Sequence, residues 1–132
     1  MLTEKAKELM KKVGIAELEK RDITQVSGRQ FQRVGICRAL MNNPKVVFGD
    51  EPTGALNSKN VMEIMHIMSE INSEGITVIL VTHDAKIAAM TERIMFMSDG
   101  KMVSEMRLEK LNNTDLDKRI QKVTAKMREI GI

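Results

Sequence analysis

A single cysteine, Cys37, excludes an internal disulfide and suits a reducing compartment. No apolar run approaches the roughly 18–20 residues of a membrane-spanning helix. The longest stretch, Ile76–Val81, is too short and too far along the chain to be a signal peptide. Repeats, low-complexity tracts and Pro/Gly-rich linkers are absent, so no domain boundary shows. Long runs of one charge are absent too: 21 Lys/Arg are interspersed with 18 Asp/Glu, and a net charge of +3 in that pattern argues against a nucleic-acid partner. Asn112-Asn113-Thr114 fits a glycosylation acceptor, but such triplets are common by chance and it is discounted.

What is present is ordinary for one folded domain or part of one. The 132 residues are 42% hydrophobic and 30% charged, which excludes disorder as the default. Twelve Met, several at helical spacing, are expected as adaptable core filler. Leu2–Leu18 has the pattern of a charged helix interrupted near Gly14, and Arg21–Val26 that of a loop. A helix is expected from Gly28, with Phe31, Val34, Ile36, Leu40 and Met41 as its apolar positions, stopping at Asn42-Asn43-Pro44. Val46–Phe48 reads as a buried strand. A helix follows, capped by Ser58 or Asn57, with Val61, Ile64, Met65, Met68 and Ile71 on one face and Gly75 at its end. Ile76–Val81 has the composition of a parallel strand covered on both faces. A short helix over Ala85–Thr91 leads to two strands, Arg93–Met97 and Met102–Met106, joined by Asp99-Gly100 in a hairpin pattern. The last segment, Thr114–Ile130, is an amphipathic helix with Leu116, Ile120, Val123, Met127 and Ile130 inward. Strand, helix, strand, helix predicts an α/β fold with a parallel sheet.

Three short segments could carry chemistry. Ser27, Gly28 and Gln30 open a helix whose first amides lack intrahelical partners, which suits an anion, although on these residues alone a simple capping box is the favoured reading. Asp50 and Glu51 stand at the C-terminal end of a strand, where one carboxylate can hold Mg²⁺ through water and the next can orient a water on a phosphate; an acidic surface loop is the alternative. His83 ends the next strand in the same way, whereas His66 reads as an ordinary helix-surface residue.

Order and spacing of these pieces resemble one family. Val26–Leu40 (VSGRQFQRVGICRAL) resembles the signature motif and following helix of ATP-binding-cassette (ABC) ATPases, usually LSGGQQQRVAIARAL. Val46–Ser58 (VVFGDEPTGALNS) resembles the Walker B motif and D-loop, Val81–Asp84 (VTHD) the switch-histidine loop, and Met97–Val103 (MSDGKMV) the hairpin after it. The likeness covers about residues 5 to 110, and DEPTGALN is similar to the ATPases of bacterial peptide, lipoprotein and antimicrobial exporters.

The resemblance implies a partial P-loop NTPase (RecA-like) domain: residues 1–43 as part of a helical subdomain, 44–110 as catalytic core, and 111–132 as a C-terminal helix. It implies ATP and Mg²⁺ as cofactors. Ser27 and Gly28 would contact the γ-phosphate of ATP held by a second ABC protomer, with Arg29, Gln30 and Asn57 completing the nucleotide-facing set. Asp50 would serve Mg²⁺ through water, Glu51 would act as general base, and His83 would contact the γ-phosphate. Ala55, Leu56 and Asn57 would form the D-loop at the dimer interface, and Gln30 and Arg33 would fix the signature helix or be plain polar positions. The implied function is ATP hydrolysis driving membrane transport, in the cytoplasm on the inner face of the cell membrane, through a transmembrane permease. A non-hydrolytic pairing module is the alternative. An ABC-type ATPase of DNA repair or translation is disfavoured by Pro52-Thr53-Gly54 and by the lack of coiled-coil heptads or a basic arm.

Departures from the family pattern are specific. Arg29 occupies the second signature glycine, Asn57 replaces the D-loop aspartate, and Gly49 replaces a common alanine. No G-x-x-x-x-G-K-[ST] occurs, and the Q-loop glutamine is also missing. Without the P-loop strand, the chain is expected either to lay Arg93–Met97 against Ile76–Val81 or to exchange strands with a second copy, the latter preferred. Because P-loop amides and lysine supply most ground-state phosphate contacts, the isolated chain is expected to bind ATP weakly and not to hydrolyse it. Calorimetry with pure chain checks this; low-micromolar affinity would contradict it.

Overall fold

The computed structural model describes residues 3–22, 25–54, 57–111 and 115–132. The chain divides into two compact units, Met1–Val81 and Thr82–Ile132.

In the first unit, Thr3 caps helix α1 (Glu4–Lys12) by accepting from the Ala6 amide, and a short 3-10 helix follows at Ala16–Lys20. Gly14, between them, has φ +79°, the left-handed conformation that glycine adopts without a Cβ clash. Helix α2 (Gly28–Leu40) leads to strand β1 (Val46–Asp50), helix α3 (Ser58–Ser73) and strand β2 (Thr77–Val81). β1 and β2 pair in parallel, from Val46 opposite Thr77 to Asp50 opposite Val81. Asn57 rather than Ser58 is the N-cap of α3, its side chain accepting from the Asn60 amide at 3.0 Å.

The core of this unit joins Val13, Ile15 and Leu18 to Ile36, Cys37 and Leu40 of α2, Val47 of β1 and Ile64, Ile67, Met68 and Ile71 of α3. Three sequence expectations are corrected here. On α2 the buried stripe is Arg33, Ile36, Cys37 and Leu40, while Phe31 and Val34 are exposed. Both sets have helical spacing, and the winning stripe is the one that places a guanidinium inside. Nor is β1 buried throughout: Val47 enters the core, but Val46 and Phe48 point to the other face, with Phe48 73% exposed. β2 is only half-buried in its middle and exposed at both ends, so its apolar composition does not mean cover on both faces.

The second unit contains the short helix α4 (Ala85–Ala88), strands β3 (Arg93–Ser98) and β4 (Lys101–Arg107), and helix α5 (Leu116–Ile130). Asp99 and Gly100 both have positive φ (50° and 76°), as a two-residue type I′ hairpin turn requires. The antiparallel register slips between Phe96 and Met97, because Met97 faces Met102 while Phe96 faces Ser104, leaving Val103 as the extra residue of a bulge. Ile94 and Phe96 face Val123 and Ala89, with Leu116, Ile120, Met127 and Ile130 of α5 packed around them. Met95, Met97 and Met102 are about half exposed, so the methionines are only partly core filler. Laying Arg93–Met97 against Ile76–Val81 is not seen: among the described residues β2 pairs with β1 and β3 with β4, its neighbour across a two-residue turn.

Arg119, on α5, was not foreseen. It is 8% exposed. Its Nε donates to the Ala89 carbonyl at 2.7 Å, Nη2 to that of Thr91 at 2.8 Å, and Nη1 to that of Glu109. One side chain thus satisfies three carbonyls in segments outside helix and strand. Arg119→Met should destabilise this unit by roughly 1–3 kcal/mol, since the Ala89 carbonyl would be left buried and unpaired. Native-state hydrogen exchange of the β3–β4 amides would measure the loss, and Arg119→Lys should recover only part of it, lacking the planar fork.

Candidate functional site

The segment Ser27–Gln30 folds as it does because a hydroxyl and a carboxamide three residues apart satisfy each other's backbone. Ser27 Oγ accepts from the Gln30 amide at 3.3 Å, and Gln30 Oε1 accepts from the Ser27 amide at 3.0 Å, a complete capping box. The Ser27 hydroxyl keeps its proton for a further acceptor. Gly28 starts the helix, and a Cβ there would meet nothing within 4 Å, so the first-turn amides can be approached closely. Arg29 lies in the same first turn. Gln30 Nε2 also donates to Glu17 at 3.3 Å, which ties the signature-like segment back to the 3-10 helix.

Asp50 is the last residue of β1 and is exposed; Glu51 follows it. The Glu51 amide donates to the Val81 carbonyl at 2.8 Å, extending the parallel ladder by one bond. Its φ of +47° is unusual for a residue with a side chain and turns the chain sharply after the strand. The Gly54 amide closes the turn on the Glu51 carbonyl at 3.1 Å, with Pro52 and Thr53 buried behind it. Gly49 makes room for this fold-back: a Cβ would lie 2.9 Å from Leu80 Cδ2 and 3.3 Å from Pro52 Cγ. The glycine in place of a common alanine therefore has a packing role in this chain.

Asn57 caps α3 as described; Ala55 and Leu56 lie outside the described residues. His83 belongs to the second unit, exposed in the bend between Thr82 and Asp84. Asp84 caps α4 by accepting from the Lys86 amide at 2.8 Å, and its own amide donates to Thr82 Oγ1 at 3.0 Å, so both neighbours of His83 are held. Cys37 is buried on α2, and burial pushes its thiol pKa up, the opposite of what a nucleophile needs. Asp50, Glu51 and the end of β2 are thus brought together by the sheet, and Ser27, Gly28 and Gln30 by one helix start.

Arg33 is the residue sequence reasoning undervalued. It is buried, with Nη1 on the Val13 carbonyl at 2.6 Å and Nη2 on Glu63 Oε2 at 2.5 Å. Its signal was present: it stands three and four residues before Ile36 and Cys37, on the stripe that faces the core.

Among described residues no group of three or more His, Cys, Asp or Glu could hold a metal ion by itself. No helix there is long and apolar enough to cross a membrane.

The family model described as "ABC transporter" matches residues 2–54. Among curated relatives, the macrolide export ATP-binding/permease protein MacB of Bdellovibrio bacteriovorus is 44% identical over 108 residues, covering 82% of this chain and 17% of the relative. A solved nucleotide-free ATP-binding cassette from an ABC transporter is 28% identical, with a TM-score of 0.80 over 98% of this chain and 49% of that one. The dimeric structure of a bacterial ABC transporter cassette is 40% identical, with a TM-score of 0.67 over 84% of this chain and 51% of that one. The chain therefore spans about half the length of these solved cassettes and 16–17% of the first curated relatives.

The Ser27 cap has a measurable consequence. Ser27→Ala should cost about 1 kcal/mol in chemical denaturation, while Ser27→Asp, which retains a capping acceptor, should stay near the parent value.

Proposed function

This chain belongs to the ABC transporter family of ATPases, and we propose that it is part of an ATP-binding subunit whose ATP hydrolysis, served by Asp50 and Glu51, drives export through a membrane permease, while Ser27 and Gly28 close on ATP held by a second protomer. The observation that carries this reading is the pairing of an open, capped helix start at Ser27-Gly28 with two carboxylates delivered by β1. The export ATP-binding/permease name of the MacB relative supports the transport assignment, and the dimeric cassette supports a second protomer.

The residues present fit a nucleotide and Mg²⁺. First-turn amides at a helix N-terminus and a hydroxyl proton suit phosphate oxygens. Mg²⁺ takes one or two protein carboxylates and fills its other positions with phosphate and water, so a lone Asp50 is enough where a protein cage is not formed. When bound, the ion would neutralise charge on the phosphates.

In this reading Ser27 donates its hydroxyl proton to a phosphate oxygen while Gly28 lets the backbone approach. Arg29 adds a cation to the same turn, and Gln30 keeps the turn in shape through the capping box. Glu51 accepts a proton from the attacking water. Its left-handed backbone, locked by the Val81 carbonyl and the Gly54 turn, fixes where that carboxylate starts from. His83 is assigned to the γ-phosphate and Asn57 to the interface with the second protomer. The site of action is the inner face of the cell membrane, beside the permease.

Glu51→Gln, in a cassette carrying this segment with a P-loop, should lower turnover at least a hundredfold. It should leave ATP-driven dimerisation in place, because only the charge that orients water is lost. Steady-state ATPase assays with size-exclusion chromatography separate the two effects, and wild-type turnover would refute the role given to Glu51.

A further inference from the structure

The part-buried ion pair between Arg33 and Glu63 joins α2 to α3 at matched depth. Each residue stands six positions beyond its own helix's N-cap, Arg33 after Ser27 and Glu63 after Asn57. At 1.5 Å per residue, both contacts lie about 9 Å down their helices from the ends that carry the signature-like and D-loop-like residues.

The guanidinium is held from a third side. Nη1 donates to Val13 O, and Gly14 presses against it so closely that a Cβ there would lie 2.8 Å from Nη1. Arg33 is 8% exposed, and its Nε has no partner among the described residues. The Val13 bond satisfies a carbonyl of the turn out of α1, whereas the bond to Glu63 reaches a second helix.

We propose that Arg33 is a positioning residue: with Glu63 it forms a brace that holds the N-termini of α2 and α3 at one spacing and orientation. Since a helix is stiff over two turns, fixing both helices at equal depth fixes Ser27 relative to Asn57. This rests on the reading above, in which Ser27 faces nucleotide and Asn57 faces the second protomer. The brace makes those two contacts arrive together, so that closure over a nucleotide is a single event rather than two.

The test uses the chain itself and no nucleotide, so a failed brace leaves the ATPase reading standing, and an inactive ATPase leaves the brace measurable. Four amides report on the two helix starts: Gln30 and Phe31, bonded to Ser27, and Asn60 and Val61, bonded to Asn57. Glu63→Ala should speed hydrogen exchange at all four by about tenfold, the size expected for one lost charge-assisted bond. The amides of the ladder end, Glu51 and Thr77, should keep their parent rates. Glu63→Gln, which retains a carbonyl acceptor at the same reach, should restore most of the protection. Arg33→Lys, a charge-conserving second variant, should loosen both starts together because one ammonium does not reproduce a fork spanning two acceptors. Faster exchange confined to Asn60 and Val61, or spread in proportion to the ladder amides, would overturn the brace and leave Arg33 an ordinary packing residue.

Discussion

Buried backbone carbonyls that neither helix nor strand can satisfy need a donor, and in each unit a buried arginine provides one. Arg33 serves the Val13 carbonyl at the turn out of α1, and Arg119 serves three carbonyls around α4 and the segment after β4. Irregular segments can pack against a core only where this accounting closes. The five donors of a guanidinium in a fixed plane make it suited to the task, and its long stem lets it act from a neighbouring helix. The placement of α2 beside the turn out of α1, and of α5 beside the end of α4, follows from these contacts as much as from apolar packing.

The proposed chemistry depends on the same economy of backbone groups. Parallel pairing places the ends of β1 and β2 side by side, and the Glu51 amide continues their ladder one residue past the strand. A left-handed backbone at a glutamate is unfavourable by roughly 1–2 kcal/mol. Here it is held by a ladder bond on one side, a turn on the other, and a glycine that lets Pro52 fold back. The carboxylate is consequently borne by a stiff piece of chain rather than by a free loop.

Much of this was legible in the sequence. The type I′ turn could be read from Asp99-Gly100, the capping box from Ser27 and Gln30, and the parallel pair from two short apolar runs ending in polar residues. Places at strand ends and a helix start made Asp50, Glu51, Ser27 and His83 candidates, but their roles came from the family resemblance, since an acidic surface loop and a simple capping box explained the same residues. Arg119 was not legible, because a long cation at a helical position is solvated far more often than buried and the carbonyls it would serve are remote in sequence; for Arg33 the family resemblance offered a role in fixing the signature helix, but not its burial. The exposed sides of Phe31, Val34 and Phe48 were misread for a related reason: periodicity gives an apolar stripe but not which of two stripes meets the core. The left-handed Glu51 had no local cue, as glutamate does not favour that conformation and the bond that holds it comes from Val81.

Arg119 also sets an order of events at the ribosome. Its acceptors at Ala89 and Thr91 are made 30 and 28 residues earlier. At roughly 5–20 residues per second, they wait about two to six seconds for their donor. During that interval the hairpin can close on its own turn, but Ile94 and Phe96 lack Val123 and the rest of α5 to lie against. The apolar face of the hairpin therefore stays uncovered until α5 is available, and this unit completes its core only then.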